Sequence, residues 1–168
     1  MGGKALNGKK ITWAQAGTLF EKIIMDHDLN NRSQRIWLCG SWRRGKKTCG
    51  DLDIVFIDKD STPHGSVKAW LVENFGTKKN GTPQTVCLID GIQVEFYEAK
   101  PETWGSSVLM WTGSKWNNIK LRKAAKSRNL KLNQHGLFNE DNVNLAANKT
   151  EEEIFELLET KYVEPSRR

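Results

Sequence analysis

Two carboxylates stand at alternate positions of a hydrophobic run, Asp51 and Asp53 in DLDIVFI, directly after a basic, glycine-rich segment, GSWRRGKKTCG. Alternate side chains of a strand share one face, so the two carboxylates sit side by side. They repel unless positive charge lies between them. Oxygen ligands at that spacing suit Mg²⁺, whose octahedral shell is completed by water and phosphate. The preceding segment supplies the phosphate half of the chemistry. Ser41 and the backbone N–H groups near Gly40 can hold phosphate oxygens, and Arg43 or Arg44 can neutralise them. Asp-x-Asp alone is common at strand ends. Gly-Ser, nine residues, then Asp-x-Asp is far less so, and it is a layout for metal-assisted phosphoryl transfer.

These groups need a sheet to hold them. The patterning predicts a helix from Trp13 to Asp28 capped by Thr12, with Ala16, Leu19, Phe20, Ile23 and Ile24 on its apolar face. RIWLC reads as a strand ended by Gly40-Ser41, residues 42–50 as a turn with a helical start, and DLDIVFI as a second strand. HGSVKAWLVENF reads as a helix. QTVCLID and IQVEFYEA are strands joined at Asp90-Gly91, a hairpin signal. PETWGSSVLMW is helical, TGS breaks it, and KWNNIKLRKAAKSRN resumes it. LKLNQHGLFN and NVNLAA suggest a small hairpin. Thr150 with Glu153 forms a capping box for EEEIFELLET, and the KYVEPSRR tail reads as loosely held. The boundary falls near residue 105, between a mixed α+β lobe (1–105) and a basic helical lobe with one hairpin (106–168).

The totals narrow the classes. With 168 residues and 38% hydrophobic content the chain can build one core or two small ones. Cys39, Cys49 and Cys87 are too scattered for a disulfide framework or a zinc site, and Cys39 and Cys87 read as buried. His27, His64 and His135 lack ligand spacing. No apolar run approaches the ~18 residues of a membrane span, so a soluble, intracellular protein is expected. Net charge is +6, and no acidic residue lies between Glu102 and Glu140. Lys115, Lys120, Arg122, Lys123, Lys126, Arg128 and Lys131 fill that interval, which favours contact with a phosphate backbone. Trp116 reads as a core residue.

GSWRRGKKTCGDLD resembles the nucleotidyltransferase signature of the family X DNA polymerases, the polymerase beta group: Gly-Ser-aromatic-Arg-Arg-Gly, four residues, then Gly-Asp-x-Asp. The resemblance runs from about residue 36 to the end. It implies an α+β fold, with a nucleotidyltransferase palm carrying a small mixed sheet and a C-terminal nucleotide-selection and DNA-binding subdomain. It makes Asp51 and Asp53 ligands of two Mg²⁺ ions (Mn²⁺ being the alternative) and puts Gly40, Ser41, Arg44 and Gly50 around the triphosphate of an incoming dNTP. The family's third carboxylate lies sixteen residues before the aromatic of its Phe-Thr-Gly-Ser segment; here that aromatic is Trp111, and the count reaches Glu95. The family carries Asp there, and Glu adds a methylene. Trp111 and Gly113 fall beside the incoming sugar, Asn118 on the incoming base and Arg122 on the template. Met110 stands where many members carry Tyr.

Only 39 residues precede Gly40, so the layout resembles the compact viral members with a palm and a C-terminal subdomain alone. The implied activity is template-directed addition of dNMP to a primer 3′-OH in short gap-filling repair. The implied partners are primer-template or gapped DNA and dNTP, and a monomer acting without lyase activity is expected. Two other readings fit the same residues: a nucleotidyltransferase acting without template on RNA or another acceptor, and a DNA-binding relative with weakened catalysis.

Overall fold

The computed structural model describes residues 9–59, 66–75 and 84–168. The Met1–Gly8 segment and the predicted helix start at His64 lie outside them. In chain order the elements are β1 (Ile11–Thr12), α1 (Trp13–Asp26), α2 (Leu29–Arg32), β2 (Ser33–Leu38), α3 (Gly40–Arg43), β3 (Thr48–Cys49), β4 (Asp51–Asp58), α4 (Val67–Phe75), β5 (Gln84–Ile89), β6 (Ile92–Glu98), α5 (Trp104–Thr112), α6 (Lys115–Lys126), β7 (Lys131–Asn133), β8 (Gly136–Phe138) and α7 (Glu151–Leu157). The fold is α+β.

Thr12 caps α1 as expected, and Gln15 returns a bond to the Thr12 N–H to close a capping box. The helix stops two residues short of the predicted Asp28, which adopts a left-handed conformation and starts a separate turn, α2. The central sheet runs β2-β4-β6-β5. The β4–β6 pair is parallel and the outer pairs are antiparallel. Asp90 and Gly91 both have positive φ (51° and 76°), as a two-residue hairpin with matching twist requires.

Alternation along the strands splits the core into two layers. Leu52, Ile54 and Phe56 of β4 with Val94 and Phe96 of β6 meet Ala16, Leu19 and Ile23 of α1 and Trp70 of α4. Val55, Ile57 and Tyr97 point to the opposite face, against Val108, Trp104 and Trp111 of α5. The other side of α5, Leu109 and Met110, joins Leu121, Leu137, Ile154 and Phe155 in the C-terminal core. Helix α5 therefore belongs to both cores, and residue 105 lies within it.

The predicted C-terminal hairpin is smaller than expected. β7 and β8 pair across Gln134-His135, while NVNLAA contributes one isolated bridge, Phe138 to Asn144. The Asn144 side chain does the work of a third strand: its Oδ1 accepts from Leu137 and Ala146 N–H, and its Nδ2 donates to the His135 carbonyl. The tail also departs from expectation. Arg168, with a fully buried side chain, donates to Glu151 and to the Val163 carbonyl and lies over Phe155 and Tyr162. A guanidinium with a buried carboxylate and two aromatic faces is anchored, not frayed. Trp116 departs as well: it is 75% exposed on α6. No helix among the described residues is long and apolar enough to cross a membrane.

Candidate active site

The site forms because β4 and β6 run parallel and in register. Asp51 pairs with Gln93 and Asp53 with Glu95, so all four side chains emerge from one sheet face. That is the face the sequence pattern assigns to the acids, and none of them belongs to the hydrophobic layer beneath.

Asp53 is half-buried beside Asp51 and Glu95. Burial is the main force raising its pKa, to about 7, and the charges of Asp51 and Glu95 push the same way. Asp51 is raised for the same leading reason, with Glu95 next. Arg44 is the cation that acts against both shifts. Clustered carboxylates that resist ionising are a site short of positive charge. The donor set is hard oxygen only, and Mg²⁺ is commonly held by one or two carboxylates with water and phosphate completing the shell. The Asp51–Asp53 pair fits that ion.

Glu95 lies on the correct face but is engaged elsewhere. It is 8% exposed and receives bonds from Gln84 Nε2 at 2.7 Å, from Gln93 Nε2 and from the Tyr97 hydroxyl. The same hydroxyl lies 3.4 Å from Asp53 Oδ1. A phenol has one proton, so it serves one carboxylate at a time. Burial and the Asp53 charge both raise the Tyr97 pKa and keep that proton in place. Among the described residues no three His, Cys, Asp or Glu side chains are gathered tightly enough to share an ion. Three acids already converged are therefore not what the fold presents. Two amides and a phenol hold the longer Glu95 side chain back.

The cradle beside the acids is backbone-tight. Gly40 has φ of +53°, and a Cβ on it would come within 1.8 Å of Asp53 Oδ2, so only glycine fits. The Cys39 N–H donates to the Asp53 carbonyl at 2.7 Å. Ser41 Oγ is buried without a well-formed hydrogen bond, beside the Cys49 thiol. Gly50 has open space around its Cα and makes no close approach. Spacing alone leaves Arg43 and Arg44 as candidates, the resemblance selects Arg44, and the two arginines have different partners in the structure. Arg43 donates to Thr112 Oγ1 and Glu151 and lies over Trp37, which spends it between the lobes. Arg44 donates to the Thr112 carbonyl, and its Nε is buried without a partner near the two aspartates.

The C-terminal candidates divide in the same way. Trp111 stacks on Tyr97 with ring centroids 3.6 Å apart, which ties α5 to the acid cluster. Gly113, with φ of +69°, lies against Arg44. Asn118 Nδ2 donates to the Met110 carbonyl at 2.7 Å, leaving Oδ1 buried and unpaired, and Arg122 lies near Met110 Sδ. Lys115, Lys120, Arg122, Lys123, Lys126 and Lys131 are exposed. Arg128 instead pairs with Glu159 at 2.9 Å and donates to the Ala124 carbonyl.

Tyr97, Thr112 and Trp13 are among the contributors to which the sequence assigns no role. Tyr97 shares the Glu95 face by simple alternation, and that was the available signal. Thr112 and Trp13 gave none. Trp13 stacks on Trp42 at 5.1 Å, and each indole N–H donates to the other residue's carbonyl, which pins the cradle to α1.

Comparison with known proteins places this geometry. Residues 15–106 match the family described as DNA polymerase beta palm, and residues 107–168 match DNA polymerase beta thumb. The DNA polymerase lambda of Rattus norvegicus and that of Arabidopsis thaliana are each 28% identical over 77% of this chain, which spans 28% and 31% of their lengths. The repair DNA polymerase X of African swine fever virus is 30% identical, covering 81% of this chain and 82% of the viral protein. Leishmania infantum polymerase beta, solved as a ternary P/T complex, superposes with a TM-score of 0.74 at 21% identity over 96% of this chain and 77% of its own.

Proposed function

The chain belongs to the family X DNA polymerases, and from that membership we propose that it is a template-directed DNA polymerase acting in short repair synthesis. The observation that carries the reading is the β4–β6 register, which sets Asp53 beside Glu95 while the Gly40 backbone closes on the Asp53 carboxylate.

In this reading the primer 3′ oxygen attacks the α-phosphorus of a dNTP. An O–P bond forms, the bond to the β-phosphate bridging oxygen breaks, and pyrophosphate leaves. Asp51 and Asp53 would hold Mg²⁺, joined by Glu95 once its oxygens are released by Gln84, Gln93 and Tyr97. When bound, Mg²⁺ supplies Lewis-acid charge that acidifies the attacking hydroxyl and offsets charge on the leaving oxygen. Once released, Glu95 would accept the hydroxyl proton, or water would. Ser41 Oγ and Arg44 Nε, both buried without hydrogen-bond partners, are donors available to the triphosphate oxygens. Trp111 and Gly113 flank the sugar, Asn118 Oδ1 is an acceptor held in reserve for the base, and Arg122 faces the template. The exposed lysines of α6 contact the duplex backbone, so affinity falls steeply with salt.

Single-nucleotide extension of a primer, with and without template, tests the reading. Addition that follows the template base supports it, and addition indifferent to template favours a nucleotidyltransferase of another kind. The hydrogen-bonded restraint on Glu95 favours a second reading, a DNA binder with weakened catalysis. In that case extension by the wild type does not exceed that of Asp53→Ala.

A further inference from the structure

Helix α6 carries a second face that the nucleotide-selection reading does not use. At 100° per residue, Trp116, Lys120 and Lys123 fall within about 60° of one another, while Arg122 lies about 120° away from Trp116. The opposite side of the helix is occupied: Leu121 and Ala125 are buried and Asn118 bonds to Met110. Trp116 is 75% exposed, more than Trp13 (46%) or Trp37 (44%). Among the described residues its indole makes no ring contact and no hydrogen bond, and Lys120 and Lys123 make no ion pair.

The exposed indole stands on a helix with no acidic residue and finds no partner among the described residues. The charge around it selects a polyanion. The aromatic selects a flat, unpaired ring, because bases inside a duplex offer no free face. Lys120 and Lys123 lie about 6 Å and about 10 Å along the axis from Trp116, within reach of phosphates flanking one stacked base.

We propose that Trp116 is a stacking platform for one unpaired DNA base, with Lys120 and Lys123 holding the adjoining phosphates. The proposal rests on the reading of DNA as substrate and adds to it the side chain that grips an unpaired base beside the duplex.

The test compares wild type, Trp116→Ala, Trp116→Phe and a Lys120→Gln/Lys123→Gln double variant. Fluorescence anisotropy across a salt series measures binding to a labelled flush duplex and to the same duplex with a short 5′ extension. Trp116→Ala should weaken binding to the extended duplex about tenfold, in line with ~1–3 kcal/mol per stacked base, and leave the flush duplex within about twofold. Trp116→Phe should recover most of that loss. The lysine double variant should weaken the extended duplex more than the flush one and lower the extended duplex's salt slope by roughly one to two. Equal effects of Trp116→Ala on the two duplexes, or none on either, overturn the proposal. Primer extension by the wild type in the same buffer then leaves the polymerase reading standing. Absence of binding to either duplex overturns both.

Discussion

The chemistry of the site turns on how few positive charges face how many acids. Asp53 illustrates it: burial first, then Asp51 and Glu95, lift its pKa from 3.8 to about 7. The folded chain without a divalent ion therefore binds a proton that the unfolded chain has released. That stabilisation is full below about pH 4 and is lost as pH rises through about 7. Thermal unfolding without metal should show a melting temperature falling across that window, and Asp53→Asn should flatten the fall. Mg²⁺ should restore stability at the alkaline end. Tyr97 offers a second check. Tyr97→Phe keeps the stack on Trp111 but removes a donor from Glu95, which should cost about 1–3 kcal/mol in urea unfolding without metal. The cost should shrink at saturating Mg²⁺, when Glu95 has another partner. The paired aspartates were legible in the sequence because alternation alone fixes their shared face. The restraint on Glu95 was not, since it depends on Gln84 arriving from the neighbouring strand.

At the scale of elements, α5 decides whether the two halves act together. Its Thr112 receives both arginines of the cradle, and α7 presents Glu151 to Arg43 and Arg168. All three charges are largely buried. Removing the acid in Glu151→Ala leaves two guanidiniums uncompensated and should cost about 3–5 kcal/mol, read by urea unfolding. Gly105 is the other constraint: a Cβ there would meet the Lys149 carbonyl at 2.0 Å. Gly105→Ala should cost about 1–3 kcal/mol through forced separation of α5 from the segment before α7. Caps and periodicity made α1, α7 and the Asp90-Gly91 hairpin readable, because their signals are local. The tail was misread because PSRR looks polar and free until Glu151, distant in sequence, is brought beside it. Trp116 was misread for the converse reason. Tryptophans are mostly enclosed, but the helical spacing that groups Trp116 with Lys120 and Lys123, opposite Leu121 and Ala125, was the signal that it points outward.

The whole molecule combines an acid pocket with a basic helix, an arrangement a simple binder has little use for. Clustered carboxylates beside a polyanion repel it unless a cation intervenes. A divalent cation held by Asp51 and Asp53 would resolve that tension, and single-turnover incorporation of the complementary dNTP on a primer-template is the test. With Mg²⁺ present, the wild type should extend the primer by the templated nucleotide. An equally folded Asp53→Asn variant should be slower by at least ~10³-fold, the rate equivalent of losing several kcal/mol of metal-borne charge stabilisation. Incorporation at the same rate by both proteins, or by the wild type with Mg²⁺ removed, would overturn a catalytic role for the Asp51–Asp53 pair.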